Sequence, residues 1–507
     1  MAITSPPVPR ARTGVAVAAV TACAALVVGF VASVNLALPM LGGSDLGPSS
    51  SALLWIVDAY VLVFACLVIP GGAAGDRFGR KGALLSGLLL LSIGALLSAG
   101  APNIAVLLVG RVISGVGAAA VLPNTIACIV HAVPVERRAG AIAVWAAAIG
   151  AGGSIGNLGG GALLAAGGWR WLFGAVAPLA LLLAVVVAVA VPVSARAPRP
   201  LRPVATSLLT LATLGLLFGI IEGPELGWGN PVVIGAFVAA ALLGTAWARA
   251  ELGAAQPLLD PRLFAIPRLR SAALGLAVLF FGLFALFYVN ASYLQFGRGF
   301  DVLATGLSIL PLALPMILGA RVGPLAVARI GSTATVAIAF ALVGGGLLAL
   351  SRVDVSTPYV LWAAGLVVIG AGGALAMPVL SSDIAAAVPA EQAGVAGGLQ
   401  STTRELGSAL GVAVIGTVLT GAFTSALPAG TPHTVAGAFA AAGVAHDTVL
   451  QAFVGAAGTG LATIGIVTLL CGALVTAQTL ISGRSRAPRP TRRSRPGSAP
   501  TASPGRS

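Results

Sequence analysis

A chain of 507 residues that is 58% hydrophobic and only 8% charged cannot coat a water-soluble globule, where about a quarter of residues carry charge. Its solvent is hydrocarbon. The net charge of +14 raises nucleic acid as a partner, but the bases are spread between apolar runs rather than gathered on one face. This argues against nucleic acid and for a bilayer with an anionic inner leaflet.

Apolar runs, each of a length to span about 30 Å of hydrocarbon as a helix, recur along the chain. Fourteen are predicted, at Val15 to Leu38, Ala52 to Pro70, Ala83 to Gly100, Ala105 to Ile129, Ala141 to Ala165, Leu172 to Val191, Ser207 to Ile221, Val232 to Trp247, Ala272 to Leu294, Gly306 to Ala328, Thr335 to Leu350, Tyr359 to Val379, Val395 to Gly421 and Val449 to Leu480. The first follows Arg10 and Arg12 but is too long for a secretory signal and is followed at once by further spans, so it is read as retained. An even number of spans puts both termini on one side, and the positive-inside rule makes that side cytoplasmic. It then receives 22 of the 28 bases, with Arg170, Arg298 and Arg352 outside.

The expected organisation is a cytoplasmic N-terminus at 1–14, a six-helix bundle at 15–192, a linker with an inserted helix pair at 193–250, a second six-helix bundle at 251–482, and a disordered basic cytoplasmic tail at 483–507. Cys23, Cys66, Cys128 and Cys471 fall in four different runs, which disfavours a disulfide framework or a metal cluster. His131, His433 and His446 are too scattered for zinc, and no metal site is expected.

Between the second and third runs lies a charged hinge, Gly72, Asp76, Arg77, Gly79, Arg80 and Lys81. It lacks the strand and the spacing of a phosphate-binding loop. It resembles instead the loop after the second span of major facilitator transporters. Further matches follow in order: Val34-Asn35-Leu36-Ala37-Leu38-Pro39, Trp55 with Ala59-Tyr60, Arg111 with Gly115 and Gly117, Trp169-Arg170-Trp171-Leu172-Phe173 with Pro178, Tyr293-Leu294-Gln295 with Gly306 and Pro311, and Arg404-Glu405-Leu406-Gly407 with Gly411 and Gly416. Together they resemble the fourteen-span drug:proton antiporters. The resemblance implies an all-α fold of two six-helix bundles around a cavity, with two extra helices. It also implies that Asp76, Arg77, Arg80 and Lys81 belong to a cytoplasmic gate that latches the outward-open state.

In the fifth span Gly152, Gly156 and Gly160 recur every four residues, a small-residue face suited to close helix packing in lipid. The same stretch resembles the family's antiporter motif, with Asn157 in place of its proline. Asp58 and Arg111 lie about seven residues below the outer ends of their spans, roughly 10 Å at 1.5 Å per residue. Charge at that depth requires a partner or water. The readings that stand are Asp58 as proton carrier with Arg111 as its tuning charge, or a structural role in which the two form a fixed ion pair or Arg111 merely binds backbone carbonyls. Many relatives carry an acid in the first span where this chain has Phe30, which questions specificity for cations.

Arg404 and Glu405 fall in the thirteenth span; neighbours on a helix point about 100° apart, so the two are expected to seek separate partners, with Glu405 a third candidate for proton coupling. Glu222 is placed at the interface and Arg321 near the inner gate. Phe280, Phe281, Phe284, Phe287 and Tyr288 form an aromatic stripe on the ninth span, which either lines the cavity or packs against neighbours. Asn35, Phe284, Tyr288, Gln295 and Arg404 are the candidate cavity residues.

The reading is a multi-pass plasma-membrane protein, monomeric and not an enzyme, that needs no cofactor. It exports small, largely apolar or cationic compounds by alternating access, with the proton gradient as energy source and protons as co-substrate. Two alternatives are an exporter of an endogenous metabolite and a transport-inactive sensor or scaffold.

Overall fold

The computed structural model describes residues 10–42, 44–48, 50–193, 202–255, 257, 259–354, 356–389, 392–428, 431, 438 and 445–484. The basic tail beyond Arg484, most of the Pro192–Pro203 boundary, and His433 lie outside them, as does the side chain of Arg321. Every regular element described is helical, as hydrocarbon requires of a chain whose backbone must satisfy itself.

The first half comprises α1 (Arg10–Gly42), α2 (Ser50–Phe78), α3 (Arg80–Ala99), α4 (Ile104–Ala132), α5 (Val135–Gly167) and α6 (Trp169–Ala190). The inserted pair is α7 (Pro203–Leu226) and α8 (Pro231–Leu252). These were among the shortest predicted runs, yet both are full-length spans. Pro203 and Pro231 start them at the position where a missing N–H costs nothing, and the Asn230 side chain caps α8 by accepting from the Val232 N–H.

The second half holds α9 (Pro267–Ser292), short α10 (Val302–Leu307), α11 (Leu310–Leu350), α12 (Tyr359–Ala387), α13 (Ala393–Ser425) and α14 (His446–Arg484). At 41 residues α11 would measure about 60 Å, twice a bilayer core. Gly331 divides it, with φ 82° and ψ 162° in a region closed to side chains, so 310–330 and 332–350 are the tenth and eleventh spans. Thirteen described helices, counting Val322–Leu350 as one, are long and apolar enough to cross a membrane, and a shorter apolar helix covers Ala304–Gly319. The kink accounts for the expected count of about fourteen.

Small residues set the packing. A Cβ built at Gly156 would strike the Gly29 backbone, and one at Gly160 would strike Ser33, so the glycine face of α5 lies directly on α1. In the same way α2 meets α4 at Gly71, α3 meets α4 at Gly87 and Gly94, and α9 meets α13 at Gly407 and Gly411. With no hydrophobic drive between helices in lipid, dispersion at such close approaches replaces it. Side-chain bonds add register: Asn124 Nδ2 on α4 donates to the Gly71 carbonyl on α2 at 3.1 Å, and Ser92 Oγ on α3 to the Ala177 carbonyl on α6 at 3.2 Å.

The inserted pair lies against the seam between the halves. Leu217 of α7 packs with Leu62, Ala65 and Cys66 of α2, and Trp55, Ile221, Leu406 and Ala409 close around them. Trp228, beyond α7, donates to Thr417 Oγ of α13 at 3.3 Å. On the side away from the hinge, Arg170 holds the Ala99 and Ala101 carbonyls and pairs with Asp45 at 3.2 Å. In the loop before α12, N–H and hydroxyl groups of Ser356 and Thr357 surround the Asp354 carboxylate and hold its pKa below the ordinary value.

Replacing Gly156 by Ala forces α1 and α5 apart and costs about 1–3 kcal/mol. Its melting temperature in detergent, followed by intrinsic tryptophan fluorescence, falls below that of the parent. Gly159→Ala, where nothing lies within 4 Å of the added methyl, leaves it unchanged.

Candidate functional site

The charged hinge is mostly helix rather than loop. α2 continues through Arg77 to Phe78, Gly79 alone breaks the path at φ 109°, and α3 begins at Arg80. This turn places Arg80 back over the end of α2, where its Nε meets Asp76 Oδ1 at 2.9 Å with both side chains buried. Arg80 Nη1 also reaches the Ala127 carbonyl of α4 at 3.5 Å. The second carboxylate oxygen of Asp76 accepts from the Val395 N–H at 3.3 Å, in the first turn of α13, where N–H groups lack helical partners and the helix dipole favours an anion. Beside this contact Gly397 presses on Pro123 and Gly398 on Ile69. The hinge side is therefore shut across the two halves. Lys81 Nζ holds the Ala188 carbonyl in the last turn of α6 at 2.7 Å, Arg77 lies over the Phe78 ring, and Gly72 is buried.

Deeper in the bundle the expected pairing of Asp58 with Arg111 is not found. Arg111 is 0% exposed; its Nε donates to the Ile56 carbonyl at 2.7 Å, and its guanidinium carbon lies 4.5 Å from the Tyr60 ring, 5.0 Å from Phe30 and 5.9 Å from Phe173. The two terminal nitrogens have no hydrogen-bond partner, and among the described residues no carboxylate lies within ion-pair distance. The physical reason is azimuth. Tyr60 faces Arg111, and Asp58, two residues back, points about 160° away around α2. Asp58 instead shares a face with Trp55, Leu62 and Ala65, the face that meets α7 and α13.

The two helices run antiparallel there. Gly398 sits at Ile69, so Asp58 comes level with Ala409, and Glu405 lies about one turn, or roughly 6 Å, nearer the hinge. Arg404 and Glu405, expected to look for separate partners, bond each other: Arg404 Nη2 and Nε lie 3.3 and 3.4 Å from Glu405 Oε1. The arginine is long enough to curl across the 100° between neighbours, and in a site where both are largely buried no closer carboxylate competes. Arg404 also stacks over Phe280 at 5.4 Å. Tyr60 stands within electrostatic reach of both Arg111 and this pair.

The aromatic stripe divides. Phe280 is buried, Phe284 is half-buried between Phe280 and Phe287, and Tyr288 is 43% exposed. Asn290 is buried and accepts from Trp362 Nε1 at 2.9 Å, a packing role. Asn35 is exposed, with its amide on the Val31 carbonyl, and Gln295 is half-buried in a π turn, Tyr293–Gly297. Gly152, Gly156 and Gly160 form the α1 contact, and half-buried Asn157 turns its carbonyl toward Gly306 by α10. Tyr60 and Phe173 were present in the sequence as motif letters without a role; the periodicity relative to Arg111 was the only signal of the cage.

A profile of the Major Facilitator Superfamily matches residues 20–412. The chain belongs to that superfamily. It is 33% identical over 397 residues to the puromycin resistance protein pur8 of Streptomyces alboniger, covering 77% of this chain and 78% of that protein. It is 32% identical over 422 residues to the multidrug efflux pump LfrA of Mycolicibacterium smegmatis, covering 81% and 83%. Among solved structures, the human organic anion transporter MFSD10 superposes with a TM-score of 0.60 at 18% identity, over 93% of this chain and all of that one, and shares the fold.

A charge-assisted hydrogen bond of the Asp76 kind contributes about 1.5–3 kcal/mol. Asp76→Asn therefore shifts the equilibrium toward an open hinge side by roughly tenfold or more. Spin labels at the hinge ends of α2 and α13 record it as a longer distance population.

Proposed function

We propose that this protein exports small, largely apolar compounds from the cytoplasm across the plasma membrane, exchanging them for protons by alternating access. The hinge side, with its bases, is the cytoplasmic side in this reading, and both termini lie there. The latched hinge then corresponds to an outward-facing or occluded state. The efflux relatives support the direction of transport.

Proton coupling rests on the α2–α13 register, which by helix geometry sets two carboxylates, Asp58 and Glu405, about one turn apart along the seam. This seam joins the two halves, so any rocking of one half on the other changes the surroundings of both acids. A proton drives a cycle only if it binds one state more tightly than the other. Asp58 is the carrier on the outer side, Glu405 the second station, and Arg404 the partner that Glu405 gives up when the seam opens. Arg111 holds the backbone at Ile56 and tunes the field. Asn35, Phe284, Tyr288 and Gln295 offer the substrate surface, with Tyr288 and Asn35 its most open members.

Asp58→Asn lowers proton-driven dye accumulation in everted vesicles more than tenfold, while downhill exchange across unenergised vesicles survives. Glu405→Gln gives a smaller loss. Extrusion by Asp58→Asn at the parent rate, with the parent's dependence on the pH gradient, removes Asp58 from the carrier role.

A further inference from the structure

Two six-helix halves suffice for a cleft that opens alternately, so the inserted pair calls for a separate explanation. α7 and α8 are one rigid unit: a Cβ at Gly215 would strike the Ala236 carbonyl and one at Gly219 the Phe237 ring. α8 turns Val232, Ile234, Val238 and Leu242 outward, which leaves α7 as the face applied to the seam. Both ends of the unit are tied to the second half. Away from the hinge, Trp228 donates to Thr417 Oγ of α13. On the hinge side, buried Glu251 at the end of α8 accepts from the Leu259 N–H at 3.3 Å, in the connector to α9, and Leu259 is itself part of the main core. Arg202, at the start of α7, closes that end by pairing with Glu251 at 3.4 Å.

Against α2 the contact is of another kind. Leu217 packs on Leu62, Ala65 and Cys66 in a dry cluster that stands apart from the main core, with Leu406 and Ala409 of α13 at its edge. Dispersion between such groups has no direction, so the surfaces slip without exposing a polar group, whereas a hydrogen bond fixes geometry. Leu62 lies about one turn and Cys66 about two turns from Asp58 toward the hinge. Near this level the charged residues on the three helices are Asp58, Arg404, Glu405 and, farther from the hinge on α7, Glu222 and Glu225, the side chain of the last lying outside the described residues. From there to Asp76 none of the three helices carries a charged residue.

We propose that the inserted pair is a moving seal that travels with the second half, and that Leu217 is its positioning residue. As the halves rock, α7 slides over the Leu62, Ala65 and Cys66 face of α2 and keeps water from running along the seam between Asp58 and the hinge side. The sealing role rests on the reading of Asp58 as proton carrier; the sliding rests on the packing alone. A carboxyl that met water from both sides at once would take a proton from one and release it to the other with no cargo moved. An apolar gap too small for water stays dry and prevents this.

The test uses the full chain in proteoliposomes and needs no cargo. In a background with the four native cysteines replaced by alanine, spin labels are set on outward-facing Val238 of α8 together with Leu89 of α3, in the first half, or Leu474 of α14, in the second. When Asp76→Asn opens the hinge, the distance to Leu89 shifts by about 3 Å or more and the distance to Leu474 stays. The opposite pattern overturns the proposal. Sealing is read in the native cysteine background as the decay of an imposed pH gradient, whatever the hinge does. Leu217→Asn, close to leucine in size and able to hold water, speeds the decay about threefold or more, Leu217→Ile keeps the parent rate, and Leu217→Asn with Asp58→Asn returns to it. A decay in Leu217→Asn equal to the parent's overturns the seal and leaves the carrier reading intact. A fast decay that persists in the double variant places the proton path away from Asp58, and overturns the carrier reading and the sealing role with it.

Discussion

The Asp76 carboxylate stands between the Arg80 guanidinium and the unpaired N–H groups at the start of α13, and the closed arrangement of the two halves depends on that contact. Each partner would be costly to bury alone. Together the carboxylate receives a cation on one side and a helix N-terminus on the other, and the glycines at 397 and 398 let the backbones come near enough for it. Everything farther along the seam inherits its register: Asp58 is level with Ala409, and Glu405 is one turn nearer the hinge, because α13 is pinned at its first turn.

The interior poses the opposite problem, a cation without a carboxylate. The protein meets it by surrounding Arg111 with three rings and giving Nε a backbone acceptor. Quadrupolar faces stabilise the charge by about 0.5–2 kcal/mol apiece and bring no acid that could take up a proton. Proton chemistry and charge balance are thereby placed on different faces of α2, one on the seam and one inside the first half.

The spans were legible in the sequence because a run of about 20 apolar residues has few other uses. The glycine face of α5 was legible too, since small residues at four-residue spacing mark contact whatever surrounds them. Azimuth was not. In lipid the outward face of a helix is as apolar as the inward one, so no hydrophobic stripe says which way Asp58 points. Its height beside Arg111 could be counted, but its direction depended on Tyr60, whose contact with Arg111 appears only in three dimensions. The Arg404–Glu405 pair was missed for a related reason: a helical wheel treats side chains as spokes, and arginine is a flexible arm. The hinge was read as a loop because glycines and charges cluster there, whereas only Gly79 leaves the helix.

Gly331 and Gly79 mark the corresponding turn in the two halves, each with a positive φ between the second and third spans of its bundle. Aligned on these glycines, Ala328 falls where the first half has Asp76, and Ser332 and Thr333 where it has Arg80 and Lys81. The backbone turn is duplicated, and so is one base, Arg329 for Arg77, but the Asp76–Arg80 pair is not. A symmetric pair of fasteners would share the strain of closure and tolerate the loss of either one; among the described residues the hydrogen bond from Val395 to Asp76 joins the halves from one side, on a carboxylate its structural counterpart lacks.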